Sequence, residues 1–68
     1  MKNNPSLALQ SLLAEVTALA KASDGEQIAD IDRVQEAQQL GCDVATGATF
    51  TKLIFAIEAE IARKNTTS

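Results

Sequence analysis

The chain is predicted to be all-α, a small helical hairpin or three-helix bundle in one domain spanning 1–68. Three observations carry that expectation. The apolar residues are almost wholly Ala, Leu, Ile and Val, with Phe50 and Phe55 the only aromatics, which suits helix packing better than the aromatic and β-branched pairs of a small sheet. Two long stretches repeat apolar residues at three- and four-residue spacings. Asn4-Pro5, Ser23-Asp24-Gly25-Glu26 and Gly41 punctuate the chain where such helices would begin and end.

The first helix is expected over 5–22. Asn4 can cap free N–H groups and Pro5 suits the first helical position. Leu9, Leu12, Leu13, Val16, Leu19 and Ala20 then form one apolar stripe, opposite Gln10, Glu15 and Lys21. A second helix is expected over 26–40. Ser23 and Glu26 have the spacing of a capping box, although Gly25 could instead end the first helix in a left-handed conformation. Its stripe is thin, with Ile28, Ile31 and Val34 followed by Gln38, and Gly41 closes it. A third helix, started by Asp43 or Thr46, is expected over 46–64. Arg63 and Lys64 in its last turn complement the helix dipole, and residues 65–68 read as a polar tail.

The third helix has more apolar surface than one packing face requires. Phe50, Ile54, Ile57 and Ile61 follow a four-three-four spacing, with Leu53 beside them, and are expected to pack as a core seam with Leu9, Leu12, Leu13 and Val16. At about 100° per residue, Phe55 lies more than a quarter-turn from that seam, in a row with Ala48, Ala59 and Ala62. Small residues on that row would admit another helix closely, with Phe55 as the one large knob. The other two helices could cover both faces. With 68 residues, however, the chain has little core of its own, and such domains commonly rely on disulfides, metals or oligomerisation.

Composition narrows that choice. Cys42 is the only cysteine and histidine is absent, so an internal disulfide is impossible and a zinc site is not expected. No Ser-His or Cys-His pair can form, so the chain is not expected to be an enzyme and no cofactor is implied. Cys42 reads as a small buried hydrophobe at a helix junction. Asp24, Glu26, Asp30, Asp32 and Glu36 make the middle acidic without the ligand spacing of a calcium-binding loop, and read as a solvated face able to meet a basic surface.

A net charge of −3 is the wrong sign for a protein that neutralises phosphates or seeks anionic lipid. No apolar run reaches membrane-spanning length, and Met1 to Pro5 lead into no signal-peptide core. Nucleic acid and membrane are therefore not expected partners, and a cytoplasmic location is expected. The expected function is that of a small acidic protein-interaction module, built as a homodimer. By analogy with the small acidic regulators of phages, plasmids and bacteria, it would act as a stoichiometric inhibitor, anti-activator or adaptor that occupies a regulatory protein or enzyme. Phe55, Ala59, Ala62 and Ala48 are its expected contact residues. The alternative is a helix-turn-helix DNA reader, prompted by the four-residue separation of Ala37 and Gly41.

Overall fold

The computed structural model describes the backbone of residues 5–66 and the side chains of 7–64. They form three helices, α1 (Pro5–Ala22), α2 (Ile31–Gln39) and α3 (Phe50–Thr66), with one isolated antiparallel β-bridge between Ile28 and Thr49. The first helix has the predicted bounds, while its expected cap Asn4 lies outside the described residues.

α1 packs chiefly against α3, and α2 makes smaller contacts with both. Leu9, Leu12 and Val16 from α1 meet Phe50, Leu53 and Ile57 from α3, and Val34 and Ala37 from α2 complete the core with Ala29 and Cys42 from the connections. Of the predicted seam, Leu13, Ile54 and Ile61 lie half-buried at the margin. Each fully buried leucine or isoleucine contributes about 1.5–3 kcal/mol relative to exposure. The periodicity of α1 and α3 thus becomes packing directly.

The second helix is shorter than predicted, starting at Ile31 instead of Glu26. Residues before it spend their backbone groups elsewhere. Ser23 Oγ donates to Leu19 O (2.8 Å) instead of forming a box with Glu26, and Asp24 Oδ1 accepts from Glu26 N–H (3.1 Å). Ala29 N–H donates to Ala48 O (2.8 Å), Phe50 N–H to Gln27 O (2.9 Å), and Thr51 N–H to Gly25 O (3.0 Å). These cross-connection bonds replace the internal ladder of a longer helix. The expected stripe is revised with it: Val34 and Ala37 are buried, whereas Ile28 and Ile31 are 59% and 58% exposed.

α2 is closed by Gly41, as predicted, in a Schellman arrangement. Cys42 N–H donates to Ala37 O and Gly41 N–H to Gln38 O, both at 3.0 Å, with Gly41 at φ 99°. The third helix begins at Phe50 instead of residue 46. Residues 45–48 form a turn closed by Ala48 N–H to Ala45 O (3.2 Å), with Gly47 at φ 93° in its third position, where a type II turn requires a positive angle. Neither Asp43 nor Thr46 starts the helix. Thr49 does, accepting from Lys52 N–H at its Oγ1 (3.2 Å) and from Leu53 N–H at its carbonyl (2.9 Å). At the other end α3 continues through Thr66, into the expected tail.

Candidate protein-interaction site

Phe55 is 64% exposed, in contrast to Phe50 at 5%. The contrast follows from helical geometry. With Phe50, Leu53 and Ile57 turned into the core, a rotation of about 100° per residue places Phe55, Ala59 and Ala62 within about 40° of the direction opposite Ile57. Ala59 and Ala62 are likewise exposed. The three therefore share the outer side of α3, with Lys52 and Arg63 exposed beside them.

Ala48 does not belong to this row. It precedes the helix, is half-buried, and its carbonyl is held by Ala29 N–H, so its seven-residue spacing from Phe55 is not a helical one. The face is consequently shorter than the sequence implied, with Phe55 near its start. A single exposed apolar residue is ordinary on a soluble protein, and what distinguishes Phe55 is its size beside two methyl-bearing positions that leave its ring unobstructed along one helix face.

Two features escaped the sequence reading. On α1, Leu13, Ala14, Thr17 and Ala18 line a shallow depression of about 480 Å³, with Gln10 and Lys21 at its ends. Its signal is the Ala14–Ala18 pair at i, i+4, outside the Leu9–Ala20 stripe. On α3, Glu60 occupies a core-facing position, three residues after Ile57, and is only 5% exposed. Its Oε1 meets Arg63 Nε at 3.2 Å and its Oε2 meets Lys64 Nζ at 3.3 Å. The signal here was a glutamate in the seam's own period with bases three and four residues later.

Glu60 also lies against the end of α2, because a Cβ added to Gly41 would stand 3.1 Å from its Oε2. Burial works to raise the Glu60 carboxyl, but the hydrogen bond from Lys64 and the charge and hydrogen bond of Arg63 outweigh it and hold the group below the usual carboxylate range. Arg33 makes the other charged tie, donating to Glu15 of α1 at 3.0 Å while facing Glu36 at 3.4 Å. Of these pairs only Arg33–Glu15 joins two helices, and the others lie within α2 or α3. They leave the Phe55 row untouched.

Cys42 is a free thiol, 6% exposed, and packs as the buried residue just past the Schellman glycine. Burial, reinforced by the Glu60 charge and opposed by Lys64, pushes its thiol above the ordinary 9.0. A raised value means that the folded chain holds the thiol proton more tightly than the unfolded one. The resulting stability is fully present below the unfolded thiol value and is lost as pH rises through the folded one. Urea midpoints of wild type should accordingly fall more steeply than those of Cys42→Ala as pH is raised from neutrality past 9.0; parallel curves would show that the thiol contributes nothing.

Among the described residues, no cluster of three or more His, Cys, Asp or Glu side chains could hold a metal ion, and no helix is long and apolar enough to cross a membrane. Comparison with protein-family models, curated proteins and solved structures finds no match.

Proposed function

We infer that the chain is a small protein-interaction module whose outer α3 face is covered by another chain, in a homodimer or by a regulatory protein or enzyme that it occupies stoichiometrically. The observation that carries this reading is the exposure of Phe55 opposite the core, flanked by Ala59 and Ala62. Burying a phenylalanine contributes about 1.5–3 kcal/mol, and a two-fold dimer would bury two at a self-complementary seam. The same ridge also fits the helix-in-groove mode by which small proteins block larger ones.

The helix-turn-helix alternative draws no support from the geometry. Residues 40–49 separate α2 from α3, ten residues where that motif uses about three or four. Lys52 is also the only base on α3 before Arg63.

Phe55→Glu tests the reading. The expected result is unchanged helicity by circular dichroism with a shift from dimer to monomer in sedimentation equilibrium, or loss of a specific protein retained from host lysate by wild type. A variant that unfolds would make Phe55 a core residue. A wild type that stays monomeric at high concentration and retains nothing specific would remove both forms of the proposal.

A further inference from the structure

The segment before α2 has a backbone edge that the fold leaves open. In the bridge, Ile28 and Thr49 are paired through the bonds of their neighbours, Ala29 N–H to Ala48 O and Phe50 N–H to Gln27 O. In that antiparallel geometry the N–H and C=O of the bridged residue itself point away from its partner. Ile28 accordingly makes no hydrogen bond among the described residues. Its side chain is 59% exposed, between exposed Glu26 and Asp30, whereas Ala29 turns into the core. The edge thus offers one donor and one acceptor beside an apolar side chain and two carboxylates.

Charge decides what can pair with it. No base occurs between Lys21 and Arg33, and Arg33 is engaged by Glu15 and Glu36. Asp24, Glu26, Asp30 and Asp32 are all exposed and make no ion pair among the described residues. A second copy approaching edge to edge would set these acids against their own kind, and like charges opposite one another destabilise a strand pair. A cationic strand meets the opposite situation.

We propose that the Ile28 edge accepts an extended segment of a partner protein by strand addition, one that carries Lys or Arg two residues before and two residues after an apolar residue. The apolar residue of the incoming strand exchanges both backbone bonds with Ile28 and lies beside its side chain, and the bases two positions away, on the same side of the pleat, are directed to Glu26 and Asp30. Main-chain bonds hold such a segment and the side chains select it. Because so few bonds are available, the charges carry much of the selectivity, and binding weakens with salt. This surface is independent of Phe55.

The test is an NMR titration of the protein with a short peptide in which a central valine is flanked by threonines and then by lysines, a counterpart with glutamate in place of lysine, and the lysine peptide N-methylated throughout its backbone. Saturable shifts centred on the Ile28 and Asp30 amides are expected with the first peptide alone. Affinity should drop about tenfold in Glu26→Lys and stay unchanged in Phe55→Glu. Glu26 is exposed and bonds through its backbone N–H, to Asp24 Oδ1, so the variant is expected to keep its helicity, and the peptide controls do not depend on it. Equal binding of the N-methylated peptide would reduce the interaction to loose charge attraction and overturn strand addition. Absence of saturable binding would mean that the acids serve only to guard the edge against pairing, which overturns it equally.

Discussion

Leu53→Ala should leave little of the folded population intact. Leu53 is fully buried on α3, in one cluster with the α1 residues Leu9, Leu12 and Val16. Truncating such a leucine costs about 2–5 kcal/mol, because the transfer energy is lost and a cavity remains. Total stability for a chain of this length is of the order of 3–10 kcal/mol. The expected outcome is a thermal midpoint lowered by roughly 10 °C or more, followed by circular dichroism. Phe55→Ala, two residues away on the exposed side, should change stability by no more than about 0.5 kcal/mol. Comparable losses at both positions would contradict the assignment of faces on α3, and with it the surface proposed for interaction.

Gly41→Ala should be the most damaging change outside the core. Gly41 sits at φ 99°, a region that disfavours a Cβ by about 1–2 kcal/mol. The added carbon would also press on Glu60 Oε2 at 3.1 Å, a carboxylate held in place by Arg63 and Lys64. The two causes separate by a double-mutant comparison. In a Glu60→Ala background the contact is gone and the backbone penalty stays, so a smaller but non-zero cost for Gly41→Ala is expected in urea titrations. Gly41→Asn should cost less of the backbone part, since asparagine visits this region more readily. If Gly41→Ala were neutral, the Schellman ending of α2 would carry no weight in stability.

The helices that could be read from sequence were those whose apolar residues repeat at helical spacing over several turns. α1 kept its predicted bounds, and its stripe from Leu9 to Ala20 is the side that packs. Phe50, Leu53 and Ile57 were recognisable as core on the same ground. α2 was misjudged because Ile28 and Ile31 mimic a helical stripe, while Ala29, Val34 and Ala37 are what the core admits. No local pattern announces that Gln27 and Ala29 will bond to Phe50 and Ala48 some twenty residues later, since that pairing is set by how α1 brings α3 alongside. The start of α3 slipped for a related reason. Thr46 and Thr49 are equally plausible caps in isolation, and the turn at Gly47 selects the second.

For the candidate site, Phe55, Ala59 and Ala62 are exposed together on α3, whereas Ala48, which the spacing adds to the row, lies before the helix that defines it. The buried Glu60 went unnoticed because a charged residue at a core position is read as solvated unless its bases at i+3 and i+4 are considered together.

The dominance of the α1 and α3 pairing over every other contact has a consequence for how the chain comes off the ribosome. α1 is synthesised before its main packing partner, so an emerging chain that stops at α2 lacks Phe50, Leu53 and Ile57 and has no core to close upon. Folding of the three helices therefore waits until α3 has emerged and then proceeds as one event, with Leu9, Leu12 and Val16 exposed to solvent or to chaperones in the interval.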